Sequence, residues 1–184
     1  MKAGHVLLQR ETNNNLSITI RNLTSSDITL QYCNWLNDKE TNQYLESRFT
    51  EWDMQSLLNY YHEKNKSELM LAIIDDDTGT HIGNIKVSGI DKHHHRAEIG
   101  IIIGDEHFWG KGIATTAIGI VADYCFDTLN IHKLTAGAYA DNLASINAFI
   151  NNGFIIEGQR KEHVLTPSGW SDVVLLGKLK VQKQ

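Results

Sequence analysis

Apolar and polar residues alternate over Leu16-Ser-Ile-Thr-Ile-Arg21, the two-residue period of a half-buried strand. The period then lengthens. Ile28, Tyr32, Trp35 and Leu36 recur at helical spacing, with Asp27 placed to cap the start of that helix. A short helical piece is expected after Asn37-Asp38, ending at Leu45. Thr50-x-x-Asp53 has the form of a capping box, and Met54, Leu57, Leu58 and Tyr61 make the buried stripe of the helix it opens. Strands are predicted from Leu69 to Ile74 and from His81 to Val87, joined across Asp77-Thr-Gly79. Glu98 to Ile103 reads as a central strand. The helix from Gly112 to about Thr128 is expected to bury Ala114, Ala117, Ile118, Val121 and Cys125. A strand from Leu134 to Tyr139, a helix from Leu143 to Asn151, and strands near Phe154 and Val173 complete the pattern. Hairpins followed by a β-α-β-α-β-β order predict an α/β fold with a mixed sheet.

Composition narrows the class without naming a chemistry. A chain of 184 residues with 41% hydrophobic content suits a single domain over 1–184. Its two cysteines, Cys33 and Cys125, lie in apolar helical patterns and read as buried thiols in a reducing, cytoplasmic setting. Cys125 as a nucleophile is the less favoured alternative. No run has the length of a membrane span, and the opening residues lack a secretory apolar stretch. The net charge of −5 with no basic block argues against nucleic acid and for amine substrates.

Candidate chemistry centres on His107-Phe-Trp-Gly110-Lys-Gly112-Ile-Ala114, a glycine-rich turn between the central strand and a helix. Glycines leave backbone N–H groups uncovered, and a helix N-terminus adds positive potential, so the turn can cradle a pyrophosphate. A P-loop is excluded because Lys111 sits between two glycines, with Gly112 where Ser or Thr must follow the Gly-Lys and Ile113 after it. A dinucleotide fingerprint is excluded because Thr115 replaces its third glycine. Further on come Asn142-Leu-Ala-Ser145, Phe149, Asn152-Gly-Phe154 and Glu157-Gly158.

With these residues the chain resembles the GNAT superfamily of acetyl-CoA-dependent N-acetyltransferases, most nearly its RimJ/RimL-like branch. Trp109-x-x-Gly112-x-Ala114 matches the family's Gln/Arg-x-x-Gly-x-Gly/Ala loop, and Asn142, Ser145, Gly153 and Phe154 match its second motif. The resemblance implies a GNAT fold: a mixed central sheet of about seven strands, flanked by helices and splayed at the acetyl-CoA site. It implies acetyl-CoA as cosubstrate and no metal. The backbone of Ile101, Ile102 and Ile103 would meet the pantetheine arm. Trp109, Gly110, Lys111, Gly112, Ile113 and Ala114 would hold the pyrophosphate, and Asn142, Asn147 and Phe149 would line the rest.

An amine attacks the thioester directly in such enzymes, so a base, an acid and two binding surfaces suffice. Glu98 is the first candidate for the base. It lies eleven residues before Trp109, the spacing of the glutamate in histone-acetylating members. A carboxylate buried in an apolar strand has a raised pKa, which suits proton abstraction. The alternative is a Glu at an exposed strand end, paired with Arg96 or a lysine. Phe149 stands where many members carry a tyrosine acid, so Ser145 becomes the candidate acid, directly or through water. Its alternative is a helix-capping role with Asn142.

The acceptor region is less specific. Glu46 and Arg48 are candidate acceptor contacts or solvated surface charges. His93-His94-His95 cannot converge on one metal in extended backbone; His94 or His95 at the acceptor mouth is the reading retained. Glu162 and His163 form a reserve base or a solvated strand edge. RimJ/RimL similarity suggests a peptide α-amine, whereas residues 34–38 and 44–49 resemble GNAT proteins of surface-polysaccharide synthesis and suggest a nucleotide-linked amino sugar; small antibiotics and polyamines stay open as acceptors. A homodimer is among the assemblies expected. The rival from another class is a GNAT-fold module that binds CoA with weak or no catalysis.

Overall fold

The structure, a computed structural model, describes residues 7–181. The first six residues, where no secretory stretch is expected, and the last three lie outside the described residues. Eight strands are present: β1 (Leu7–Glu11), β2 (Ser17–Asn22), β3 (Leu69–Asp75), β4 (His81–Asp91), β5 (Arg96–Ile103), β6 (Lys133–Tyr139), β7 (Ile155–Thr166) and β8 (Gly169–Leu179). They form one sheet in the order β1-β2-β3-β4-β5-β6-β8-β7. β5 and β6 run parallel and the other ladders are antiparallel, so the sheet is mixed.

Two helix pairs cover the sheet, one on each face. α1 (Leu30–Asn37) and α2 (Met54–Lys64) pack on the side shown by Met70, Ala72 and Ile74 of β3. α3 (Ile113–Asp127) and α4 (Leu143–Ile150) pack on the side shown by Leu69, Leu71 and Ile73. β3 is therefore buried on both faces, which is why it reads as an unbroken apolar run. On β5, Ala97, Ile99, Ile101 and Ile103 turn toward α3 and α4, while Ile102 packs with α1 and α2.

Several expectations are corrected. The sheet has eight strands, not about seven, because Leu7–Glu11 pairs with β2 although its sequence does not alternate. Thr29 caps α1, its side chain accepting from Tyr32 N. Asp27 is instead engaged by Arg21, with both guanidinium bonds at 2.7 Å, and by Thr24. Asp53 is itself the cap of α2 and shares its capping box with Ser56 rather than Thr50. The helical piece expected before Leu45 is a run of turns, followed by a short 3₁₀ turn over Glu46–Phe49. Met54 is 43% exposed and leaves the α2 stripe to Leu57, Leu58 and Tyr61. Ala114 is half-buried, and α3 and α4 otherwise lie within a residue of their predicted ends.

Candidate active site

The two parallel strands part company early. β5 and β6 pair only at Arg96↔Lys133, Ala97↔Leu134 and Glu98↔Thr135. Thr135 Oγ1 donates to the Ala97 carbonyl at 3.3 Å, latching the last rungs. Beyond it β5 continues with β4 as far as Gly83↔Ile103, while Ala136 to Tyr139 pair with β8 alone. The sheet is split in a V, and one edge of Ile101, Ile102 and Ile103 is released from the ladder. These three residues line a cleft of about 510 Å³ with Trp109, Gly110, Gly112, Ile113, Ala114 and residues of α4.

The glycine turn closes the wide end of that cleft. Gly110 and Gly112 both have left-handed backbone, with φ of +71° and +80°. Gly112 is the N-cap of α3 and has no side chain to satisfy the first N–H groups of the helix. A Cβ at Gly110 would meet nothing within 4 Å, so bare backbone faces open space there. This is what an extended pyrophosphate requires, and the donor set fits acetyl-CoA. Trp109 in the Gln/Arg position has a structural role: its Nε1 donates to the Ile103 carbonyl at 2.8 Å, tying the turn to the end of β5. Lys111 is exposed at the rim, its ammonium 5.5 Å over the Phe108 ring, and is absent from the cleft lining.

α4 forms the opposite wall. Asn142 caps it, its Oδ1 accepting from Ser145 N at 3.1 Å, and Asn142, Ser145 and Asn147 all line the cleft. The capping geometry and the lining position of Ser145 therefore coexist. Phe149 corrects its expectation. It is 2% exposed and packs edge-on against Phe154 at 5.0 Å, in the core behind the wall.

Glu98 is exposed, so the burial expected of it is not found. It points to the α1/α2 face, at the last rung before the split. Farther along that face, the buried Tyr139 donates its hydroxyl to Glu46 Oε1. Burial and this carboxylate push the phenol up to about 12, so it stays protonated at neutral pH. Arg48 reaches the carbonyls of Gln43 and Leu165 and lies 5.3 Å over the Tyr139 ring. Tyr44 meets Tyr139 edge-on at 6.1 Å and lines the cleft, as do Glu40 and Gln43. Residues 40–48 thus strap the acceptor side, with Glu46 and Arg48 as its fastenings. Neither Tyr139 nor Glu40 is marked by a motif; for Tyr139 the one available signal is its place at the free end of a strand.

Other expected residues lie elsewhere. His94 sits in the β4–β5 turn, held by Asp91, at the end of β5 remote from the cleft, and His95 contacts the Asn130 carbonyl there. An acceptor-mouth role is corrected for both, since the eight residues of β5 span roughly 25 Å. Glu162 and His163 lie on the exposed bulge of edge strand β7, with β6 and β8 between them and Glu98. Burial pushes the Cys125 thiol up to about 12, which suits a core residue and not a nucleophile.

Comparison with known proteins decides the family. Residues 17–155 match the acetyltransferase (GNAT) domain model. The chain belongs to the GNAT acetyltransferase family. It is 29% identical over 168 residues to the uncharacterised N-acetyltransferase p20 of Bacillus licheniformis, covering 89% of this chain and 93% of that one. It is similar to the spermidine N-acetyltransferase of Vibrio cholerae, solved with CoA and spermine, at 26% identity and a TM-score of 0.79, over 89% and 95% of the two chains. A ribosomal-protein-S5-alanine acetyltransferase of Vibrio fischeri shares the fold at 23% identity, with a TM-score of 0.76 over 97% and 99%. The protein is a GNAT-fold N-acetyltransferase dependent on acetyl-CoA. Among the described residues no helix is long and apolar enough to cross a membrane.

Proposed function

We propose that this acetyltransferase moves an acetyl group to a primary amine by direct attack within a ternary complex, with Glu98 taking the proton. The observation that carries the reading is the split between β5 and β6, which opens directly beyond the rung bearing that carboxylate. Acetyl-CoA bound there supplies an activated thioester carbonyl. The released edge of Ile101 to Ile103 and the N–H groups of Gly110 to Ala114 hold it, with Asn142 and Asn147 on the facing wall. Glu98 reaches from the other face, so base and cosubstrate approach the gap from opposite sides. Ser145 returns a proton to the leaving thiolate, directly or through a water; Phe149 has no hydroxyl to do so.

The acceptor is a primary amine that arrives as an ammonium. Glu40 lines the cleft, Glu98 stands at the last rung before the split, and the net charge of −5 favours the approach of a cation. The Vibrio cholerae relative is named for spermidine. The peptide α-amine and the nucleotide-linked amino sugar suggested by sequence also present a primary amine. The test measures acetyl gain by mass on peptides, amino sugars and polyamines, with CoA release in parallel. Glu98→Gln should lower kcat about 100-fold and leave acetyl-CoA affinity unchanged. Tight acetyl-CoA binding with no transfer to any pool would leave a CoA-binding module in place of an enzyme.

A further inference from the structure

Immediately past the last β5–β6 rung, the next residues on the acceptor face are Gly100 on β5 and Gly137 on β6. Ala97, Ile99, Leu134, Ala136 and Ala138 belong to the core shared with α3 and α4, so Glu98, Gly100, Thr135 and Gly137 point the other way. Both glycines are exposed. The fold asks for glycine at neither position. Neither lies in the left-handed region. A Cβ at Gly100 would meet nothing within 4 Å, and one at Gly137 only Val173 Cγ1 at 3.6 Å, an ordinary contact. Gly83 and Gly104 differ, since a Cβ would fall 2.4 Å from the Ile102 carbonyl and 2.0 Å from the Trp35 ring. Glycine inside a strand is unfavourable for chain entropy and packs nothing. Two such residues, one on each strand just beyond the last rung, serve no structural need.

We propose that Gly100 and Gly137 are the lips of the acceptor port and set its width for an amine borne on a branched carbon. This rests on the N-acetyl transfer proposed above. A primary amine on a CH₂ end is slim and passes a narrow opening. An amine on a carbon with two further substituents needs clearance on both sides of the nitrogen, and each missing Cβ supplies it. Glu98 lies two residues before Gly100 on the same face, roughly 7 Å along the strand, where it meets the nitrogen that enters. The acceptor class is therefore the α-amine of an amino acid residue or the ring amine of an amino sugar, in preference to an aminoalkyl end alone.

The test compares kcat/KM at saturating acetyl-CoA for spermidine, an alanine-led peptide and a nucleotide-linked amino sugar. Wild type, Gly100→Ala, Gly137→Ala and Gly100→Val are assayed, with acetyl-CoA affinity by calorimetry and Tm recorded for each. Wild type should acetylate a branched amine. The ratio of branched to linear kcat/KM should fall at least tenfold in both alanine variants and further in the valine variant, with acetyl-CoA affinity within twofold and Tm not lowered. An unchanged ratio in both alanine variants overturns the inference, as does a wild type that takes spermidine alone. If the wild type binds acetyl-CoA and acetylates no amine, the transfer reading itself fails and takes the inference with it. Should the valine variant not fold, the alanine variants decide.

Discussion

A side chain at Gly112 would place a measurable strain at the mouth of the cosubstrate cleft. Its backbone sits at φ +80° and ψ 1° and caps α3. An L side chain in that region costs about 1–2 kcal/mol. In Gly112→Ala no clash adds to this, because a Cβ would meet only Thr12 Cβ at 3.9 Å. The strain has two outlets. If the turn keeps its shape, unfolding becomes easier by about 1–2 kcal/mol, and Tm falls by roughly 2–8 °C for a chain of this size. If the turn relaxes, its N–H groups leave their alignment, and the same energy weakens acetyl-CoA binding about 5- to 30-fold. Urea titration gives the first part and calorimetric titration with acetyl-CoA the second, and their sum is the predicted quantity. Gly79→Ala is the control. It has φ +70° in the β3–β4 turn and equal open space, so it should lose similar stability with no change in affinity. A summed effect below about 0.5 kcal/mol at Gly112 would refute the strained-cap argument.

Trp109→Phe removes the donor to the Ile103 carbonyl and should weaken acetyl-CoA binding roughly 2- to 10-fold, the worth of one such bond. An unchanged Kd would mean the indole does not hold the turn. Phe149→Ala should cost about 3–5 kcal/mol in urea unfolding, given its burial against Phe154. Lost acetyl-CoA affinity at full stability would instead place it in the cleft wall. Burial opposes the charge on Asp27, yet bonds from Arg21 and Thr24 hold its carboxyl at about 2, below the ordinary 3.8. Because the folded value is the lower one, its stabilisation of about 2 kcal/mol is present above pH 4 and is lost as pH falls from 4 toward 2. Asp27→Asn should therefore be less stable than wild type at pH 6, with the gap closing toward pH 3; a gap that ignores pH would sink the linkage.

Elements whose character is set locally were legible in the chain. α3 and α4 carry apolar residues at helical spacing and begin directly after Gly112 and Asn142, residue types that mark a helix start locally. β5 was legible because a run of isoleucines follows Glu98. Features that depend on remote partners were not. Leu7–Glu11 has no alternation and is a strand only because β2 is there to pair with it. Asp27 looks like a cap until Arg21, six residues earlier, claims both oxygens. The same holds at the site. The glycine turn announces itself through residue type, whereas the inward turn of Phe149 and the bond from Tyr139 to Glu46 follow from packing that periodicity does not encode.

The strap carries a consequence for biosynthesis. Its fastenings join residues 93 positions apart, Glu46 to Tyr139, and 117 apart, Arg48 to Leu165. The turn that grips the cosubstrate is complete by Ala114, but the wall that faces the amine is not pinned until the last hairpin has emerged and closed. The residues of the anion cradle therefore leave the ribosome well before those that pin the acceptor wall, which closes only when the whole domain folds. The acceptor wall is thus the part of the site whose closure hangs on the C-terminal hairpin.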